Sequence, residues 1–106
     1  MSANQFQLEG NKLIVRTSLD AGREEELRQY CDRLLARPDP ELIVDLSTVD
    51  YIHSLSVGTL SYAWVEAISR DKEVCFIVSQ YVSDVFARTG LGRVFNTRPA
   101  QNSTQG

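Results

Sequence analysis

The chain has 106 residues, 42% of them apolar, and its 14 acidic against 11 basic residues give a formal charge of −3. That length and apolar content suit one small domain with a real core and are too short for two. Phosphate backbones demand clustered Lys and Arg, so this balance argues against nucleic acid as a partner. With a single histidine, His53, and two distant cysteines, Cys31 and Cys75, sites needing two imidazoles and the common zinc spacings are excluded. Both cysteines lie in apolar patterns and read as reduced core residues. No apolar run approaches a membrane span or follows a basic N-terminal segment, so a cytoplasmic protein without membrane insertion is expected.

Phe6, Leu8, Leu13 and Val15 alternate on either side of Gly10-Asn11, a dipeptide suited to a tight turn because both residues tolerate positive φ. The chain therefore opens with a β-hairpin. Between Asp20 and Arg37, the residues Leu27, Tyr30, Cys31, Leu34 and Leu35 recur at the spacing of one helical face, with Asp20 as the expected N-cap and Pro38 and Pro40 as stops. Glu24, Glu25, Glu26, Arg28 and Arg33 form its solvated side. The run Leu42-Ile43-Val44-Asp45-Leu46 reads as a central strand covered on both faces. Val57, Leu60, Trp64, Ala67 and Ile68 mark a second helix, and Val74-Cys75-Phe76-Ile77-Val78 a second buried strand. Val82, Val85 and Phe86 indicate a short helix ending at Gly90, followed by a last strand at Val94-Phe95. Strands alternating with helices require crossovers, and hence a partly parallel sheet with helices packed on it. The expectation is an α/β fold with a small mixed sheet of four to five strands: a single domain over residues 1–98, with a polar tail over 99–106.

Ligands and chemistry in open α/β sheets gather beyond the carboxyl ends of the strands, where loops and helix N-termini converge. Here that region is Asp50, Tyr51, Ile52, His53, Ser54, Leu55, Ser56, Val57 and Gly58. Ser54 or Ser56 is suited to cap the following helix, since a serine oxygen accepts a bond from a free first-turn N–H. Either serine is equally suited to carry a phosphate, because a helix N-terminus tolerates the added charge of about −1.5 to −2. His53 reads as a solvent-facing loop residue. Trp64 reads as core, with Trp64 or Tyr62 able to anchor a partner if exposed.

From Leu42 onward the chain resembles the STAS family of anti-sigma-factor antagonists and stressosome proteins. Leu42-Ile43-Val44-Asp45-Leu46-Ser47 is similar to that family's strand ending in Asp-Leu-Ser, and Val49-Asp50-Tyr51-Ile52 to the segment before its phosphorylation loop. Ser54 falls at the phospho-acceptor position, and Thr89-Gly90-Leu91 followed by Val94-Phe95 resembles the turn before the last strand. The likeness spans most of residues 5–96. The loop departs from the common Asp-Ser-Ser-Gly in reading His53-Ser54-Leu55-Ser56, which keeps only the first serine and makes Ser56 a second candidate acceptor. The family's usual terminal helix has no counterpart in the polar stretch from Pro99 to Gly106.

The resemblance implies a partner-switching protein without catalytic residues, metal or cofactor of its own. Its partners would be a GHKL-like serine kinase that is also an anti-sigma factor, which phosphorylates Ser54, and a PP2C-type phosphatase that resets it. The nucleotide would belong to the kinase. The loop Asp50, Tyr51, His53, Ser54, Leu55 and Ser56 would be the contact surface. One alternative is an unphosphorylated STAS scaffold subunit of a stressosome-type or transport assembly, since a fold is compatible with many uses. A hydrolase built on His53 with Ser54 or Ser56 lacks the flanking glycines of a nucleophile elbow. Gly90-Leu91-Gly92 follows a helix and so is a turn, not a nucleotide loop. Asn102-Ser103-Thr104 fits a glycosylation sequon but needs a secretory route.

Overall fold

The structure, a computed structural model describing residues 5–100, begins with the expected hairpin: β1 (Phe6–Glu9) runs antiparallel to β2 (Lys12–Val15), with Glu9 opposite Lys12. Only Gly10 of the turn pair takes positive φ, at 57°, as in a two-residue turn with glycine first. Three helices and three parallel strands follow: α1 (Glu24–Leu35), β3 (Glu41–Leu46), α2 (Ser54–Ser69), β4 (Glu73–Val78), α3 (Gln80–Thr89) and β5 (Asn96–Pro99). The sheet order is β1-β2-β3-β4-β5, with β2 through β5 parallel. The α/β class, the mixed sheet and the N-terminal hairpin are as the sequence implies.

Sequential strand order has one strong consequence. Right-handed crossovers that always step in the same direction put every helix on the same side of the sheet. Leu13, Val44 and Phe76 are register partners and all three are buried in the core. Their neighbours Ile14, Asp45 and Ile77, also in register, point to the other side and are only half-buried. β3 accordingly alternates between buried and half-exposed positions, and the expectation that it is covered on both faces is corrected.

Other local expectations also shift. The N-cap of α1 is Arg23, which makes no side-chain cap, and not Asp20; the Glu24 carboxylate instead accepts from Gly22 N–H at 2.9 Å. In α2 the buried stripe is Ser56, Leu60, Ala63 and Ala67, with Trp64 and Val57 half-buried and Ile68 53% exposed. Ile68 is turned about 100° from Ala67, which carries it off the core stripe. α3 buries Val82, Val85 and Phe86 and ends at Gly90, whose φ of 81° is left-handed as expected. The last strand is not Val94-Phe95. A single 3-10 turn, Leu91–Arg93, precedes Val94, and Phe95 enters the core against Phe76 (ring centroids 4.6 Å), Phe86 (5.1 Å) and Trp64 (5.8 Å). β5 is the polar edge that follows, where its proline is tolerated. Pro99 pairs with Val78 and Ala100 N–H donates to Val78 O at 3.0 Å. The sequon at Asn102 and the rest of the expected tail lie outside the described residues.

Among the described residues no helix is long and apolar enough to cross a membrane. Cys31 and Cys75 are free and buried. Burial first, and the neighbouring Asp32 carboxylate second, push the Cys31 thiol up from 9.0 to about 12. The folded state therefore holds this proton where the unfolded chain releases it, so stability present below pH 9 falls as pH rises toward about 12. Replacement Cys31→Ala is expected to cost about 1 kcal/mol at neutral pH and to flatten that alkaline decline, read as denaturant midpoints across the pH range.

Candidate functional site

The crossover topology brings the carboxyl ends of β2, β3 and β4 to one edge, and the segment from Ser47 to His53 crosses it before α2 begins. Its path is held by bonds from two other segments. Leu19, fully buried, forms an isolated parallel bridge with Ile52: its N–H donates to Tyr51 O at 2.9 Å, and its carbonyl accepts from His53 N–H at 2.8 Å. Ser18 Oγ donates to Asp50 Oδ1 at 2.9 Å. Ser79 has two roles, donating to Val49 O at 2.6 Å while its oxygen accepts from Val82 N–H at 3.1 Å and so caps α3. Tyr81 stacks near Tyr51, with centroids 6.4 Å apart.

The loop is thus a fixed platform. None of the Ser18, Leu19 or Tyr81 contacts has a local signal in the sequence. Ser79 alone had one, being a serine directly before an apolar helical repeat.

His53 is the N-cap of α2, in place of either serine. Its backbone is extended (φ −76°, ψ 150°), and its Nδ1 accepts from Leu55 N–H at 3.1 Å while its carbonyl receives Ser56 N–H at 2.9 Å and Val57 N–H at 3.1 Å. The residue expected to face solvent is half-buried and does the capping that Ser54 or Ser56 was expected to do. Ser54 is the first residue of the helix and exposed; Leu55 is 55% and Tyr51 44% exposed. Ser56 points inward at 0% exposure, and its Oγ has no hydrogen-bond partner. The two candidate acceptors therefore differ completely in access. Asp50 is exposed at the loop's start.

The first turn of α2 contains no acidic residue, so its positive dipole end meets no side-chain counter-charge from within the helix. Beside it, a groove of about 350 Å³ runs between α1 and α2, lined by Glu24, Glu25, Arg28, Leu55, Gly58 and Tyr62 among others. Tyr62 is half-buried; its hydroxyl donates to Asp32 Oδ1 at 2.7 Å, an interaction that raises its pKa, and Arg28 lies 4.1 Å over its ring. Trp64 packs against Phe95 instead of facing the loop. No group of three or more His, Cys, Asp or Glu side chains able to hold a metal occurs among the described residues.

The two buried or capping side chains give opposite expectations. His53→Ala removes a helix cap and is expected to cost about 1 kcal/mol, with His53→Asn recovering most of it. Ser56→Ala removes a buried hydroxyl without a partner and is expected to be neutral or stabilising by up to about 1 kcal/mol. Thermal and denaturant unfolding of the three variants measures both.

A family model described as the STAS domain matches residues 6–103. Among solved structures, a crystal structure of TM1081 of Thermotoga maritima, a protein assigned as an anti-sigma factor antagonist, superposes with a TM-score of 0.74 at 16% identity, covering 93% of this chain and 87% of that one. The NMR structure of TM1081 gives 0.72 at 16% identity, covering 94% and 83%. At this identity the likeness is one of fold. No curated protein matches the sequence.

Proposed function

The chain belongs to the STAS domain family, and we propose that it is a non-catalytic protein-binding module, akin to an anti-sigma-factor antagonist, whose partner is released when Ser54 is phosphorylated. The observation that carries this reading is the exposure of Ser54 at the head of α2, between exposed Tyr51 and Leu55 on a loop held by Leu19 and Ser79. A rigid apolar contact surface with a hydroxyl at its centre is what a charge-controlled interface requires. The partner is a serine kinase of the anti-sigma-factor type, which supplies the nucleotide, and a PP2C-type phosphatase removes the phosphate.

Between the two serines, access favours Ser54. Ser56 is fully buried in the first turn of α2, so a kinase would reach it only by opening the helix. His53 stands where the resembling loops have aspartate, and its imidazole nitrogen performs the capping an aspartate oxygen would. The loop thus loses its acidic residue without losing its helix start. Neither serine hydroxyl is hydrogen-bonded to the imidazole among the described residues, which weighs against a serine nucleophile activated by His53.

Affinity capture from the native cell with wild type, Ser54→Ala and Ser54→Asp as baits is expected to retain a kinase-like protein on the first two and to lose it at least about tenfold on the third, a difference of about 1.4 kcal/mol. Fragment-ion mass spectrometry is expected to find the phosphate on Ser54. Equal capture by all three, with no phosphate under any growth condition, replaces this reading with that of an unmodified scaffold subunit.

A further inference from the structure

We propose that the outer face of α2 is a self-association surface, pairing antiparallel with α2 of a second copy of this chain so that Ile68 lies over Gly58 and Val65 beside Ser61. These four residues stand at intervals of three, four and three, the spacing of a helix–helix seam. None of them belongs to the buried stripe of α2. Val65 and Ile68 are 54% and 53% exposed, and Gly58 is exposed as well. Val94, 49% exposed, extends the apolar surface beside Ile68 around a cavity of about 210 Å³ shared with Trp64. Three of the large exposed apolar side chains thus fall together, away from the Tyr51 and Leu55 pair of the loop.

The pattern selects the occupant. The seam is small at its N-terminal half, Gly58 and Ser61, and large at its C-terminal half, Val65 and Ile68, with the same three-residue step in each. A two-fold axis through the middle of the seam brings each large side chain of one copy onto a small residue of the other, the self-complementarity an isologous contact needs. A Cβ built on Gly58 meets nothing within 4 Å, so the space over it is free to receive Ile68 of a second copy. Glu66 is the one charged residue of the 16 in α2, and it is paired with Arg70 at 3.4 Å. Antiparallel pairing also sets the two helix dipoles side by side in opposite directions. This contact does not rest on phosphorylation of Ser54.

The test is sedimentation equilibrium of the full chain from micromolar to millimolar concentration. Wild type is expected to show a reversible monomer–dimer equilibrium. Gly58→Leu is the informative variant: leucine improves helix propensity and its Cβ meets nothing in the monomer, so the melting temperature should hold or rise, yet it fills the space Ile68 needs. The dissociation constant is expected to rise at least about tenfold. Adding Ile68→Ala to Gly58→Leu is expected to recover association by restoring one small and one large residue at each crossing. A wild type that stays monomeric throughout, a Gly58→Leu variant that associates equally or more tightly, or a double variant that recovers nothing overturns the proposal; the second result would point to a merely sticky surface or to a different partner.

Discussion

Each connection after β2 is a crossover to the next parallel strand, so the strands are laid down in sequential order and the helices all accumulate on one face of the sheet. That constraint decides what the core is: Leu13, Val44 and Phe76 under the helices, with Ile14, Asp45 and Ile77 left half-covered on the other side. It also decides where the functional loop lies. Parallel strands end together, and the loops leaving β2, β3 and β4 meet at a single edge, where Leu19 bonds to Tyr51 and His53, and Ser79 to Val49. The loop's rigidity is therefore a property of the topology. Backbone donors and acceptors at the edge of a sheet need partners, and here three segments supply them mutually.

α2 concentrates the demands on this fold. A helix apolar on most of its circumference is ordinarily buried on most of it, yet α2 buries one stripe and leaves Leu55, Val65 and Ile68 in solvent. Those three are not needed by the core. Leu55 adjoins Ser54, whereas Val65 and Ile68 lie some three turns further along, a separation of about 15 to 20 Å at 1.5 Å per residue. The large residues of the two surfaces are thus well separated, while Gly58, one turn from Ser54, brings the small end of the proposed seam close to the loop.

The parts of the fold visible in the sequence are those governed by local rules. The hairpin turn at Gly10, the left-handed cap at Gly90 and the alternation of strands and helices each follow from residues close together in the chain. What was illegible depended on distant partners. β3 reads as doubly buried because Ile43 is apolar between Leu42 and Val44, but its side of the sheet receives no helix. Phe95 reads as a strand residue because it is aromatic, whereas the aromatic cluster of Phe76, Phe86 and Trp64 draws it into the core and leaves the strand to four unpromising residues after it. At the site, the position of Ser54 at the head of α2 was legible and the identity of the capping residue was not. Propensity ranks serine and aspartate far above histidine as caps, so His53 was passed over, and the inward turn of Ser56 follows only from which stripe of α2 meets the core.

A phosphate on Ser54 illustrates how differently one charge weighs in folding and in binding. At the N-terminus of α2 the dipole favours an anion by about 0.3 to 1 kcal/mol at an exposed position, and no acid in the first turn opposes it. The fold therefore has no reason to reject the modification. A partner lying on Tyr51 and Leu55 would instead have to strip water from a group of charge about −1.5 to −2, and leaving a buried charge without a matched partner costs about 3 to 5 kcal/mol. That exceeds the gain from the helix dipole several-fold. On the proposed reading, a phosphate that the helix end would tolerate in the free protein would be prohibitive against a partner that offers no cation at that point, so the sign of the switch would be set by the partner's charge and not by the stability of this chain.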